Sequence, residues 1–378
     1  MNALAAPLAL LAELTHRCPL RCPYCSNPLK LTPASGELRT DDWGRVFGEA
    51  AALGCMQVHL SGGEPAVRRD LDALVAAAAE AGLYTNLITS GVLLDAARLQ
   101  ALRDRGLEHV QLSFQDSTPE IADVVAGLEG AHAKKLAVAR DIREAGLALT
   151  TNFVVHRRNI QHVEAMLDLG MSLGAERIEI ASVQYHGWAI PNRASLMPTR
   201  AQLADATRVV EAARRTLEGI VIDFVVTDYY AQRPKACMGG WGRQFLVVSP
   251  AGFVLPCHAA ETIPDLKFDN VRERALADIW RHSHAFNLFR GTAWMKEPCR
   301  SCERAEIDWG GCRCQALAVG GDPALADPAC ALSPAHGALL AMADADSTGN
   351  QRRFIYRQLR AGKSGEQSVA IEDAEAPA

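Results

Sequence analysis

Hydrophobic and polar positions along the first 230 residues follow two alternating periods. Short apolar runs are typical of buried strands, and the longer segments between them carry the i, i+3, i+4 spacing of amphipathic helices. The predicted strands are Leu8–Leu14, Met56–Leu60, Thr85–Thr89, His109–Phe114, Ala148–Val155, Arg177–Ala181 and Val221–Val226. The predicted helices are 40–53, Leu71–Ala81, Ala96–Arg105, 133–145, Val163–Leu173 and Gln202–Leu217.

Strands that alternate with helices predict an α/β fold with a parallel sheet and right-handed crossovers. Ligands of such sheets gather at the carboxyl ends of the strands. The polar residues that follow the predicted strands are therefore candidates for ligand contacts, although each of them could instead cap a helix. They are Glu64, Ser90, Ser113, Gln115, Asn152 and Gln184.

The composition changes near residues 230–235, and we expect a domain boundary there. The expected domains are 1–230 and 231–340, and residues 341–378 are expected to form a C-terminal helix and a tail. Phe245–Val248 and Phe253–Leu255 predict a β-hairpin. The polar, acidic residues from about Gly362 are expected to be disordered.

Composition excludes some classes of protein. The 378 residues carry a formal net charge of −5, which argues against general nucleic-acid binding. No apolar run reaches the length of a bilayer-spanning helix, and Met1–Leu14 lacks the basic start of a signal peptide, so no membrane association is expected. Eleven cysteines indicate metal ligands in a reducing cytoplasm, where disulfides are rare.

Three cysteines directly after the first predicted strand, Cys18, Cys22 and Cys25, form a CxxxCxxC motif. Three thiols this close in sequence can converge on one iron–sulfur cluster, which normally takes four thiolates. One iron would then lack a protein ligand, as a catalytic metal centre requires. A zinc knuckle is the alternative, but zinc sites more often pair two cysteines with a second pair or with histidines downstream.

The turn Gly62-Gly63-Glu64-Pro65 follows the second predicted strand, one βα unit after the cysteine motif. Two glycines allow the backbone to approach a ligand closely, and a glutamate can accept hydrogen bonds from an ammonium group. Taken alone, the same residues could form an ordinary strand-to-helix turn.

Both motifs together resemble those of the radical S-adenosylmethionine (SAM) enzymes, in which an aromatic residue, here Tyr24, precedes the third cysteine. This resemblance implies a partial (β/α)6 TIM-like barrel, and a [4Fe–4S] cluster on the catalytic Cys18, Cys22 and Cys25 that cleaves SAM to a 5′-deoxyadenosyl radical. The residues expected to contact SAM are Tyr24, Gly62, Gly63, Glu64, Ser90, Ser113, Gln115, Asn152 and Gln184.

A second field of cysteines lies beyond residue 230, at Cys237, Cys257, Cys299, Cys302, Cys312, Cys314 and Cys330. Seven thiols leave two four-ligand sites one ligand short, and Asp308 could supply the eighth. The alternative is that Asp308 is a solvated loop residue. Cys55 is left over, and its place before a buried strand predicts a packed, inert thiol.

This second field resembles the SPASM domain, the auxiliary-cluster extension of radical SAM enzymes that act on peptides. The usual pattern is CxxCx5Cx3C, with Asp308 replacing one cysteine. The resemblance implies a first auxiliary cluster on Cys237, Cys257, Cys312 and Cys314, either 2Fe–2S or 4Fe–4S because Cys312-x-Cys314 is unusually tight. It implies a second cluster, 4Fe–4S, on Cys299, Cys302, Asp308 and Cys330.

Within this group, His16–Pro28, Tyr185–Ala189, Asn192–Arg193 and Asp308 resemble the enzymes that begin pyrroloquinoline quinone (PQQ) biosynthesis. That implies a radical that takes hydrogen from a glutamate side chain of the precursor peptide PqqA. The glutamate carbon then bonds to a tyrosine ring, and an auxiliary cluster removes the excess electron. The implied partners are the peptide chaperone PqqD, which delivers the substrate, and an electron donor such as flavodoxin.

Two other functions stay open at this point. One is another SPASM-type peptide modification, such as thioether formation or sulfatase maturation. The other is a zinc-stabilised scaffold protein that binds partners without turnover. The aromatic loop Tyr185–Ala189 suits substrate recognition at a barrel mouth, although it could also pack over the rim.

Overall fold

The computed structural model describes residues 4–226, 228–349 and 353–358. Its strands are β1 (Ala9–Thr15), β2 (Gln57–Gly62), β3 (Tyr84–Thr89), β4 (His109–Phe114), β5 (Ala148–Val155), β6 (Arg177–Ser182), β7 (Val221–Val225), β8 (Phe245–Val248) and β9 (Val254–Leu255). These described strands form one sheet in the order β7-β6-β5-β4-β3-β2-β1-β8-β9. Neighbours from β7 to β8 run parallel, and β9 is antiparallel to β8. The predicted parallel α/β fold is confirmed.

The six helices predicted in the first 230 residues are all present, as α1, α2, α3, α5, α6 and α8. The helices are α1 (Thr40–Leu53), α2 (Leu71–Glu80), α3 (Ala96–Asp104), α4 (Pro119–Ala126), α5 (Ala131–Glu144), α6 (Val163–Ser172), α7 (Arg193–Leu196), α8 (Arg200–Thr216), α9 (Leu276–His282), α10 (His284–Asn287), α11 (Ala305–Asp308), α12 (Arg313–Gly320) and α13 (His336–Thr348). Helix α4 was not predicted, although Pro119 at its start and Gly127 at its C-cap are typical signals of helix ends.

The two faces of the parallel strands differ in polarity, as the alternation of their residues predicts. Val58 and Leu60 of β2 are fully buried in the main hydrophobic core, together with Trp43 and Phe47 of α1. The intervening β2 residue, His59, instead bonds to Asn86 of the next strand at 2.9 Å. The polar face therefore lies inside the curved sheet, and this interior leads to the carboxyl ends of the strands.

The predicted hairpin forms, but its first strand also continues the parallel sheet beside β1. Ala9 to Ala12 of β1 lie opposite Phe245 to Val248 of β8. Three residues of β8 are fully buried, so the pairing covers the edge of β1 with an apolar strand. This long-range pairing was not predicted, and the domain boundary at residue 230 stays a prediction.

The predicted C-terminal helix is α13, which begins at His336, before the predicted bound of residue 341. The tail from about Gly362, expected to be disordered, lies outside the described residues. Among the described residues, no helix has both the length and the apolar character needed to cross a bilayer.

Candidate active site

A cavity of about 420 Å³ opens at the carboxyl ends of β1 to β6. Its wall contains the three cysteines of the first motif and most of the polar residues predicted to contact SAM. The predicted residues that line it are Cys18, Cys22, Tyr24, Cys25, Gly62, Gly63, Ser90, Ser113, Gln115, Asn152 and Gln184. Glu64 lies behind this wall rather than in it. The structure thus brings residues from six strand ends to one cavity.

The cysteine loop holds three free thiols at the edge of the cavity. Burial raises the pKa of Cys22 to about 11 and also raises the pKa values of Cys18 and Cys25. Burial favours the protonated form of these thiols. Thiols bind metal as thiolates, so binding of a cluster would displace their three protons. This set of three half-buried cysteines at one cavity fits a cluster with one open iron.

Gly62 and Gly63 bring the turn after β2 against the start of the cysteine loop. The Gly63 amide donates to the Thr15 carbonyl at 2.6 Å, and the Glu64 amide donates to the Arg17 carbonyl at 2.8 Å. A Cβ atom on Gly62 would overlap the Thr15 carbonyl oxygen, and one on Gly63 would overlap that of Arg17. The backbone of these two glycines therefore lies close to the start of the cysteine loop. Both glycines also line the cavity.

Glu64 is fully buried, and both of its carboxylate oxygens accept hydrogen bonds from the protein. Thr89 Oγ1 donates at 2.6 Å, the Ala66 amide at 3.0 Å, and the Ser90 amide at 2.8 Å, and the Ser90 hydroxyl donates as well. Glu64 thus fixes the end of β3 at the cavity wall. The predicted contact of Glu64 with the SAM ammonium group stays a prediction.

Lys135 of α5 is a functional candidate that sequence reasoning missed. Its ammonium group is buried and donates to the Ser113 carbonyl at 2.9 Å and to the side-chain oxygen of Gln115. Burial lowers its pKa to about 8, although the nearby Cys22 opposes this. The available signal was a lysine on the buried face of a helix that also carries Val138 and Ile142.

The loop after β6 supports the cysteine loop from the other side. The Trp188 amide donates to the Cys25 carbonyl at 2.9 Å, and the Asn192 side chain donates to the Pro23 carbonyl at 3.1 Å. Gly187 has a positive φ of 57°, and a Cβ atom there would overlap the Asn27 carbonyl oxygen. These residues of the aromatic loop therefore pack against the cysteine loop.

Cys237, Cys257, Cys312 and Cys314 form one group of thiols in mutual contact. Hydrogen bonding of the Cys237 thiol to Cys257 and Cys312 raises its pKa, and the same contacts lower the pKa values of Cys257 and Cys312. Cys314 bonds to the same two thiols, which raises its pKa. The structure thus assembles the four residues predicted to hold the first auxiliary cluster.

The four residues predicted to hold the second auxiliary cluster line one small pocket: Cys299, Cys302, Asp308 and Cys330. Asp308 is 8% exposed, and its carboxylate accepts a bond from the Gly310 amide at 3.1 Å. This placement does not fit a solvated loop residue. In the described part of the chain, no three His, Cys, Asp or Glu side chains are arranged as ligands of a single metal ion.

Asp327 is a second buried carboxylate in that pocket, and sequence reasoning missed it. Its oxygens accept bonds from the Cys312 amide at 2.5 Å, the Gln315 side chain at 2.8 Å and the Ala329 amide at 2.8 Å. Burial raises its pKa to about 7, and the charge of Cys312 adds to this effect. Asp308, where the usual SPASM pattern has a cysteine, stays the predicted oxygen ligand.

Comparison with known proteins agrees with this architecture. The family model of the radical SAM superfamily matches residues 12–170, and the model of the SPASM iron–sulfur cluster-binding domain matches residues 237–303. Among solved structures, SuiB of Streptococcus suis bound to its precursor peptide SuiA has a TM-score of 0.70 at 19% identity, covering 87% of this chain and 77% of that one. AnSMEcpe with bound AdoMet has a TM-score of 0.61 at 16% identity, covering 90% of this chain and 96% of that one.

The fold and the two cysteine fields therefore define a radical SAM enzyme with a SPASM domain. A PqqA peptide cyclase of Rhodopseudomonas palustris is 58% identical over 358 residues, 94% of this chain and 95% of that protein. One of Granulibacter bethesdensis is 59% identical over 337 residues, 89% of this chain and 90% of that protein. This chain belongs to the family of PqqA peptide cyclases.

Proposed function

We propose that this enzyme joins a glutamate and a tyrosine side chain of the precursor peptide PqqA through a carbon–carbon bond, the first step of PQQ biosynthesis. The observation that carries the proposal is the 58% identity to a PqqA peptide cyclase over 94% of the chain. The geometry supports it, because a cavity lined by three thiols lies next to the group formed by Cys237, Cys257, Cys312 and Cys314, through His258 in its wall.

Cys18, Cys22 and Cys25 would hold a [4Fe–4S] cluster, which with SAM supplies a 5′-deoxyadenosyl radical. Ser113, Gln115 and Asn152 offer polar groups on the opposite wall for the ribose or carboxylate of SAM. Lys135 positions Gln115, because its ammonium group donates to the side-chain oxygen of Gln115. Glu64 holds Ser90 at the wall and would accept a bond from the SAM ammonium group.

The crosslink removes two hydrogen atoms from the peptide. One leaves the glutamate carbon as an atom, and the other leaves the tyrosine ring as a proton and an electron. Cys237, Cys257, Cys312 and Cys314 would hold a first auxiliary cluster, and Cys299, Cys302, Asp308 and Cys330 a second, which supply an acceptor for that electron. His258 lines the cavity and directly follows Cys257, so the protein connects the two regions through adjacent residues.

PqqD as the chaperone that delivers PqqA, an electron donor such as flavodoxin, and a cytoplasmic location also belong to this proposal. Another SPASM-type modification, thioether formation or sulfatase maturation, is the alternative within the same class of enzyme. The likeness to SuiB and anSMEcpe concerns the fold alone and does not favour either of these reactions. Nothing in the comparisons favours the zinc-stabilised scaffold, since the relatives are enzymes.

The test is anaerobic incubation of the reconstituted enzyme with SAM, a reductant, PqqA and PqqD. We expect a peptide that has lost two hydrogen atoms, and fragmentation should locate the new bond between one glutamate and one tyrosine. Iron with acid-labile sulfide, measured on the same sample, separates an iron–sulfur enzyme from a zinc protein. Formation of 5′-deoxyadenosine with unchanged PqqA would reject the proposed reaction.

A further inference from the structure

A segment from the C-terminal end of the described chain, residues 353–358, lies against the cysteine loop near the N-terminus. Its Arg357 is only 4% exposed. One terminal nitrogen of Arg357, Nη2, donates to the carbonyl oxygens of Cys18 at 2.9 Å and Leu20 at 2.7 Å. Residues 339 positions apart thus meet at the loop that carries the first three thiols.

Asn192 ties this segment to the same loop. Its side chain donates to the Ile355 carbonyl at 2.9 Å and accepts from the Ile355 amide at 2.7 Å, so it binds the backbone as a neighbouring strand would. The same side chain donates to the Pro23 carbonyl of the cysteine loop at 3.1 Å. The buried side chain of Asn192 therefore holds residues 353–358 at a fixed distance from the cysteine loop.

The side chains beside Arg357 anchor the segment further. Phe354 is buried, and the Arg158 guanidinium lies 3.9 Å from the centre of its ring. The Tyr356 hydroxyl donates to the Val124 carbonyl at 2.7 Å, and the Arg21 guanidinium lies over its ring at 5.7 Å. Phe354 and Tyr356 thus hold the residues that precede Arg357 against the protein.

Two nitrogens of that guanidinium, Nε and Nη1, are buried and have no hydrogen-bond partner among the described residues. A buried donor without a partner destabilises a protein, more so when it is charged, so proteins rarely leave one.

We propose that the two unpaired nitrogens of Arg357, Nε and Nη1, donate hydrogen bonds to sulfur atoms of the cluster held by Cys18, Cys22 and Cys25, and so raise the reduction potential of that cluster. The inference rests on the proposed cluster position. Hydrogen bonds to sulfur and local charge both set cluster potentials. A fixed cation stabilises the reduced cluster, which carries one more negative charge, over the oxidised one. Arg357 would thus act on the cluster itself.

The test compares Arg357→Gln with Arg353→Gln, an exposed arginine of the same segment that serves as the matched control. The full-length holoenzymes are titrated electrochemically without peptide, and the cluster is followed by the electron paramagnetic resonance signal that changes when SAM is added. In Arg357→Gln we expect a lower potential, with the ratio of reduced to oxidised cluster falling about tenfold at a fixed potential, or about 59 mV for one electron. Arg353→Gln should match the wild type.

An unchanged potential in Arg357→Gln at full iron content would overturn the proposal. If Arg357→Gln fails to load this cluster, Arg357→Lys decides, because it keeps the charge but loses the forked donors. A loaded Arg357→Lys enzyme with a shifted potential supports the proposal, and one with the wild-type potential rejects it. A wild-type enzyme that shows the SAM-sensitive signal but leaves PqqA unchanged would reject the proposed reaction only, so the two failures are distinguishable.

Discussion

The imidazole Nε2 atoms of His186 and His258 lie 2.9 Å apart, within hydrogen-bonding distance. His186 belongs to the loop after β6, whereas His258 directly follows Cys257 and lines the cavity. Burial, and then the charge of His258, lowers the pKa of His186 to about 4, so that ring is neutral at pH 7. This hydrogen bond thus joins the loop after β6 to the residue that follows Cys257, one of the first auxiliary thiols.

We expect this pair to matter for crosslinking more than for radical formation. His258→Ala should lower the yield of crosslinked PqqA per 5′-deoxyadenosine several-fold, because it removes the polar group between the cavity and Cys257. Iron content should stay at the wild-type level, since neither imidazole is a predicted ligand. The measurement is the ratio of the two products, with His284→Ala as an exposed-histidine control. An unchanged ratio in His258→Ala would leave the pair with a packing role alone.

Replacing any one of Cys18, Cys22 and Cys25 by alanine should abolish SAM cleavage, because two thiolates do not hold a reactive cluster. Iron in the SPASM domain should remain, since its predicted ligands lie elsewhere in the chain. Cys55 offers the matched control: it is buried in the main core, and burial raises its pKa to about 12. Cys55→Ala should therefore keep both iron and SAM cleavage. Production of 5′-deoxyadenosine by any of the three loop variants would refute the cluster position.

Glu64 supports the cavity wall and is also the proposed acceptor for the SAM ammonium group, and two variants separate these roles. A charge-assisted hydrogen bond contributes about 1.5–3 kcal/mol, so losing it should weaken SAM binding about tenfold or more. Glu64→Gln keeps the size of the side chain and one acceptor oxygen, for either Thr89 or Ser90, but loses the charge. We expect the loss of affinity in Glu64→Gln as well as in Glu64→Ala. Wild-type affinity for SAM in Glu64→Gln would limit Glu64 to its structural contacts.

Much of the fold could be predicted because its signals are local. The change between strand and helix periodicity located every strand from β1 to β7, and cysteine spacing indicated both thiol fields. Because the strands were predicted to be parallel, Ser90, Ser113 and Asn152 were expected together at the carboxyl edge of the sheet. Local patterns of this kind depend only on neighbouring residues, so the printed sequence contains them directly.

The remaining features depend on residues that are far apart in the chain. Nothing near Arg357 or Asn192 indicates that they meet at the cysteine loop, since that contact spans the whole molecule. The pairing of β8 with β1 is equally distant. The sequence signal for Lys135 was weaker: a charged residue on the apolar face of a predicted helix. Sequence patterns therefore indicated the predicted ligands of the site, but not most of the residues that position them.

Loss of an auxiliary ligand should separate radical formation from crosslinking. In Cys237→Ala or Cys302→Ala we expect SAM cleavage to continue without crosslinked PqqA, because the radical forms at the barrel cavity and the excess electron lacks its acceptor. The measurement is 5′-deoxyadenosine and modified peptide from the same reaction. A normal yield of crosslink from enzyme lacking iron in the SPASM domain would contradict the proposed role.

The last prediction concerns Asp308, the oxygen ligand proposed among three thiolates. Oxygen is a harder ligand and gives less electron density to iron than sulfur does, so its bond should be weaker and more exchangeable. Asp308→Cys should therefore shift the potential of the second auxiliary cluster while preserving the iron count. Asp308→Ala should keep a cluster on Cys299, Cys302 and Cys330 with an open iron, yet impair crosslinking.

Asp322 provides the control for this change, because it is an exposed carboxylate of the same region that pairs with Lys296 at 3.0 Å. Asp322→Ala should change neither the spectrum nor the yield of crosslinked PqqA. The three variants are compared by spectroscopy of the second auxiliary cluster and by peptide mass analysis. Since Asp308 is buried in a pocket with the three cysteines, its loss should act on the cluster directly. Wild-type spectra and crosslinking in both Asp308 variants would show that the carboxylate is not a ligand.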